Sequence, residues 1–148
     1  HMVSDSTLYM VDIQKDAIET TKNRLISSGI DLPRLQYYEM SHDKVWEYIP
    51  EKEVHIVVFN LGYLPHGNHE IHTRYETTIA AIEGAMKRLI SHSLIHIVAY
   101  PGTPYGKKET EQIESFLKGQ DQKYVSVSSW KPLNQIHEPP LLYIIQKR

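Results

Sequence analysis

The sequence predicts an α/β fold, a mostly parallel sheet that closes with an antiparallel strand pair. Three observations point to it. Short apolar runs alternate with longer stretches of helical periodicity along most of the chain. One run, VHIVVFNL at 54–61, is almost continuously apolar, the pattern of a parallel strand covered on both faces. The last two strand candidates follow each other across a connection too short for a parallel crossover.

Each element has its own signal. LYMVDI (8–13) is the first strand candidate. QKDAIETTKNRLISSG follows, with Ala17, Ile18, Thr21, Leu25 and Ile26 on one helical face and Gly29 as its C-cap. LQYYEM (35–40), after Pro33, reads as a second strand. SHDKVWEYI (41–49) reads as a short helix opened by Ser41 and stopped by Pro50. Beyond VHIVVFNL, TTIAAIEGAMKRLI (77–90) sets Ile79, Ile82, Met86, Leu89 and Ile90 at helical spacing. SLIHIVAY (93–100) is another buried strand, and GKKETEQIESFLKG (106–119) an amphipathic helix closed by glycine. YVSVSSW (124–130) alternates with period two, and PLLYIIQK (140–147) is the final strand. No repeat or linker interrupts the pattern, so residues 1–148 read as one domain. His1-Met2 reads as a tag remnant, or Met2 as a native start.

Composition narrows the function. The chain has 148 residues, 41% hydrophobic and 23% charged, enough for one core. A net charge of −2 argues against a large electrostatic nucleic-acid binder, while leaving room for an enzyme that grips one RNA loop locally. With no cysteine, disulfides, thiolate metal sites and cysteine nucleophiles are excluded. The apolar runs are strand-sized and no secretory pattern opens the chain, so the expectation is a soluble, cytoplasmic protein.

Several positions invite a chemical reading. Asp12 ends the first strand just before a helix, where an acidic residue can bond the ribose hydroxyls of an adenosine cofactor. It can equally complement the helix dipole. In FNLGYLPHG (59–67), Asn60 and Tyr63 stand where the apolar strand gives way to a loop. An Asn oxygen and the next backbone carbonyl can accept amine hydrogens and aim the nitrogen lone pair, and a nearby tyrosine can stack on a base. A strand-ending turn shaped by Gly62 and Pro65 explains the same residues. His66, His69 and His72 cluster without metal-site spacing, so loop polarity explains them better than a metal. GTPYGKK (102–108) fails the Walker A spacing, which leaves Gly102 and Gly106 to shape a substrate-side turn. Lys87-Arg88 and Lys107-Lys108 are local basic clusters, readable as RNA contacts or as ordinary exposed helix charges.

DIQKDAIETT (12–21), FNLGYLPHGNHEIHT (59–73), TTIAAI (77–82), AYPGTPYGKKE (99–109) and Asn134 followed by PPLLYIIQK carry a resemblance over essentially the whole chain. Together they resemble the bacterial class I S-adenosylmethionine-dependent methyltransferases that act on the wobble uridine of tRNA, whose genes often carry an rRNA methylase label. The resemblance implies a Rossmann-like sheet, S-adenosylmethionine as cofactor, the tRNA anticodon loop as partner, and methylation of the 5-aminomethyl group of 5-aminomethyl-2-thiouridine. It implies that Asp12 bonds the cofactor ribose, with Gln14 near the adenosine. Asn60, Leu61 and Tyr63 stand where amino-methyltransferases carry an Asn-Pro-Pro-Tyr element, and Asn60 also borders the cofactor. Pro65, Tyr100, Pro101 and Gly102 line the substrate side.

The chain departs from that family at Asn68-His69, usually Asp-Lys, and at Thr103, usually His. It also opens at what reads as the family's second strand, with no G-x-G pattern before Asp12. A front-truncated domain is therefore expected, one that binds the cofactor poorly. Without a first strand, the second and fourth pair directly, a partner chain supplies the edge, or apolar surface stays exposed. Alternatives to the tRNA reading are methylation of ribosomal or other RNA, and a non-catalytic remnant that self-associates through that edge, for instance as a homodimer.

Overall fold

The computed structural model describes residues 6–30, 34–51, 54–62 and 74–148. Six strands and three helices follow in the order β1 (Leu8–Asp12), α1 (Lys15–Ser27), β2 (Leu35–Glu39), β3 (Val54–Asn60), α2 (Tyr75–Arg88), β4 (Leu89–Ala99), α3 (Pro104–Lys118), β5 (Val125–Trp130) and β6 (Leu141–Lys147). Among the described residues no helix is long and apolar enough to cross a membrane.

The strands form a four-stranded sheet in the order β3–β4–β6–β5 and a separate parallel pair, β1–β2. β3 and β4 are parallel, while β6 runs antiparallel to both β4 and β5. Among the described residues no strand lies between β1 and β3, so each leaves an edge unpaired. Of the arrangements open to a sheet without its first strand, direct pairing is therefore not the one adopted. Exposed apolar surface is present: Ile56 and Val58 are 63% and 60% exposed. The expectation that this strand is covered on both faces is thus corrected. Val57 and Phe59 face the core, whereas Ile56 and Val58 stand mostly in solvent.

The core lies between the four-stranded sheet and helices α2 and α3. Ile95 and Ile97 of β4 and Ile145 of β6 meet Ile82 of α2 and Ile113 of α3, all fully buried. Tyr9 and Val11 of β1 and Tyr38 of β2 reach the same cluster from the other pair. Helix α1 contributes less than its periodicity suggests. Only Ala17 is buried, and Ile26 remains half exposed. Gly29 does cap it, at φ +69°, with the Ile30 N–H donating to the Leu25 carbonyl at 3.1 Å.

The helix expected over 41–49 is only a turn followed by one 3-10 turn at Val45–Glu47. Tertiary contacts overrule its local propensity. Trp46 inserts against Gly84 of α2, where a Cβ would stand 2.2 Å from the indole. Arg88 then donates from Nε to the Ile49 carbonyl at 2.9 Å and from a terminal nitrogen to the Trp46 carbonyl. Those carbonyls are held by a side chain instead of by helix continuation. Arg88 is thereby committed to structure. β4 begins earlier than expected, directly after α2, and its register against β3 slips between Val54 and Ile56. His92, at φ 67°, sits within that irregular stretch.

Candidate active site

The C-terminal ends of β1, β2 and β3 converge, as the environment of His42 shows. Its ring meets Phe59 of β3 edge-on at 6.0 Å between centroids. Burial pushes its pKa down, against an upward pull from the Asp43 and Asp12 carboxylates. Asp12 closes β1 and is half-buried; one of its carboxylate oxygens accepts the Gln14 backbone N–H at 2.8 Å. Gln14 is the residue before α1, so the sharp exit from β1 fixes the carboxylate. The Nε2 of His42 is buried with no hydrogen-bond partner among the described residues. An orphan ring nitrogen beside a fixed carboxylate fits the polar edge of a nucleoside. Nothing in the chain's periodicity marked His42. Its signal is positional: it follows β2 much as Asp12 and Gln14 follow β1.

A second cluster forms where β3 and β4 end side by side. Asn60, exposed, pairs in register with Val98, and the N–H of buried Leu61 donates to the Val98 carbonyl at 3.0 Å. The chain then turns at Gly62, whose φ of +116° disfavours any side chain. A Cβ there would lie 3.9 Å from the Tyr100 ring. Tyr100 is 46% exposed, Pro101 is buried and Gly102 is exposed. The structure therefore brings Asn60, Leu61, Gly62 and Tyr100 together at adjacent strand ends.

The next turn differs from expectation. Gly106 lies within the first turn of α3 rather than in a loop, and a Cβ on it would stand 2.1 Å from the Tyr100 carbonyl oxygen. It is a close-approach glycine that lets the helix seat on the strand end. Gly102 has only ordinary space around it. Thr103 caps α3, its hydroxyl accepting the Gly106 N–H at 3.0 Å. The departure at this position is thus absorbed by a structural role. Tyr63, Pro65, His66, Asn68, His69 and His72 lie outside the described residues.

A family model described as "Putative rRNA methylase" matches residues 8–146. The chain belongs to that family. Among relatives of this rRNA methylase-like chain, a chloroplastic tRNA (mnm(5)s(2)U34)-methyltransferase from Arabidopsis thaliana is 36% identical over 148 positions, covering 95% of this chain. This chain spans about half of that protein's length, 52%. A structure described as a "putative rRNA-methylase" from Clostridium thermocellum superposes with a TM-score of 0.94 at 38% identity, over 99% of this chain and 77% of that one. Another, a "putative methyltransferase" from Streptococcus mutans in complex with SAH, gives 0.86 at 32% identity, over 96% and 76%. The chain shares the Rossmann-like methyltransferase fold of both structures, which accounts for the alternation seen in the sequence.

Proposed function

We propose that this chain belongs to an S-adenosylmethionine-dependent methyltransferase that methylates the 5-aminomethyl nitrogen of the wobble uridine, thiolated or not, in tRNA. The observation that carries it is the bend at Asn60–Leu61–Gly62 against Tyr100. It presents a side-chain amide and a backbone carbonyl at the end of a strand, beside an exposed aromatic ring. The name of the Arabidopsis relative supports the choice of substrate.

Each residue has a role in this reading. The Asn60 oxygen and the Leu61 carbonyl accept the hydrogens of a neutral amine and aim its lone pair. The Leu61 N–H is spent on Val98, which anchors the residue whose carbonyl accepts. Tyr63 stacks on the base, with Pro65, Tyr100, Pro101 and Gly102 around it. Asp12 takes the ribose diol, Gln14 borders the adenosine and His42 offers its unpartnered nitrogen to the same group. S-adenosylmethionine, when bound, supplies an electrophilic methyl group. Alignment then suffices, and no general base is required.

The test is to incubate the protein with S-adenosylmethionine and tRNA bearing 5-aminomethyl-2-thiouridine, followed by mass spectrometry of the digested nucleosides. One added methyl at the wobble nucleoside is expected, with kcat lowered about a hundredfold in Asn60→Ala. Methylation elsewhere, or in ribosomal RNA alone, would overturn the substrate assignment.

A second reading is favoured by the exposed Ile56 and Val58: a non-catalytic domain that self-associates through β3. Light scattering beside the methylation assay separates the two. A dimer without turnover selects the second reading.

A further inference from the structure

Outside the strand-end cluster, a cavity of about 330 Å³ opens between the first turns of α2 and α3. Arg74, Tyr75 and Glu76 form one wall and Tyr105, Lys108 and Glu109 the other. Its floor is rigid: Thr78 of α2 donates to the buried Glu109 carboxylate of α3 at 3.1 Å, pinning the two helices together. The neighbouring Glu76 carboxylate holds the Tyr75 pKa up, with a smaller push from nearby Tyr105. The two tyrosines therefore share one mouth, and Tyr105 is 41% exposed.

Of the charges around this mouth, Glu109 is spent on the fold through Thr78, whereas the two cations are not. Lys107, one position along, is bridged to Glu138 at 3.5 Å. Lys108 and Arg74 make no ion pair among the described residues. Of the basic pairs in the sequence, Arg88 is fastened to carbonyls and Lys107 to a carboxylate; of the remaining Lys87 and Lys108, it is Lys108 that lines this cavity. The cavity also adjoins the candidate active site. Gly106, next to Tyr105, packs on the Tyr100 carbonyl, and α2 and α3 start after β3 and β4 respectively.

Aromatic faces beside unpaired cations match the chemistry of an unstacked nucleotide, whose base needs a stacking surface and whose phosphate needs a positive charge. We propose that this cavity binds an unpaired nucleotide flanking the one that is methylated, its base against Tyr105 and Tyr75 and its phosphate on Lys108 and Arg74. The proposal rests on the RNA methyltransferase reading given above and deepens it. It also answers how a chain of net charge −2 docks on a polyanion: through one local cationic and aromatic pocket rather than a global field.

The test measures binding of a fluorescently labelled tRNA anticodon stem-loop by anisotropy across a salt series. The double variant Lys108→Ala/Arg74→Ala should lower the slope of log K against log salt by about 0.7, the value for one lost single-strand phosphate contact, and each single variant by part of that. Lys107→Ala, at the bridged neighbour, should leave the slope unchanged. Tyr105→Ala should weaken binding about tenfold, and Tyr105→Phe should restore it, because stacking needs the ring and not the hydroxyl. If the wild-type protein binds the stem-loop and these variants match it in affinity and slope, the pocket is overturned while the substrate reading stands. If the wild-type protein binds no RNA, both fall. Circular dichroism of each variant distinguishes lost contact from lost fold.

Discussion

β3 and β4 are neighbours with similar apolar content, yet they occupy different environments. β4 has β3 on one side and β6 on the other, with Ile95, Ile97 and Ala99 essentially inaccessible. Among the described residues β3 has a partner on one side, β4, and Ile56 and Val58 stand mostly in solvent. The contrast extends to the two halves of the molecule. The large side chains that are most completely buried belong to α2, β4, α3 and β6, and none belongs to β1, α1 or β2. Hydrophobic composition selects a strand, but neighbours on both edges and both faces decide whether it is buried.

The largest effect that tests this contrast is in the core. Ile97→Ala should cost about 2–5 kcal/mol in a denaturant melt, because the site is enclosed on every side. A cost below that range would mean that β4 is less tightly packed than its burial implies. Gly106→Ala should cost about 1–3 kcal/mol, since the new methyl meets a backbone oxygen that can move only with the strand. The same variant should lose methylation more than stability accounts for, as the Tyr100 corner is displaced.

His42 tests the seam between the halves through pH. Its folded pKa is lowered from 6.5, chiefly by burial, so below that value the unfolded chain takes up the proton first. Its contribution to stability is complete above pH 6.5 and is lost as pH falls toward the depressed folded value. His42→Gln should flatten that part of the stability profile; an unchanged profile would show that the ring is not enclosed. The smallest effect belongs to β3. Ile56→Ser should alter stability by no more than about 0.5 kcal/mol if its face meets water. A loss of several times that amount, dependent on protein concentration, would reveal that a second copy covers it.

How much of this could be read from sequence follows the same division. α2, α3, β5 and β6 appear within a few residues of their expected bounds, the helices because their amphipathic period matches the faces they bury, whereas of β5 only Val125 is buried. The segment at 41–49 could not be read that way. Its geometry is dictated by Trp46 meeting Gly84 and by Arg88, partners some forty positions away. Asp12, Asn60 and Gly62 were visible because strand ends and glycines announce themselves. His42 and the tyrosine-lined cavity were not, since each exists only after separate elements are brought together.

The position of β6 has a kinetic consequence. β5 precedes β6 in the chain, yet among the described residues it pairs with β6 alone, which itself lies between β5 and β4. During synthesis β5 therefore emerges with no template and must wait as an unpaired segment until β6 is available. Its sequence, VSVSSW, suits that wait. Serines on alternate positions keep β-propensity while diluting the apolar run that would invite pairing with another nascent chain. The last step of sheet assembly then docks two strands at once, tying the final turn of α2 through Lys147, whose ammonium donates to the Met86 and Leu89 carbonyls.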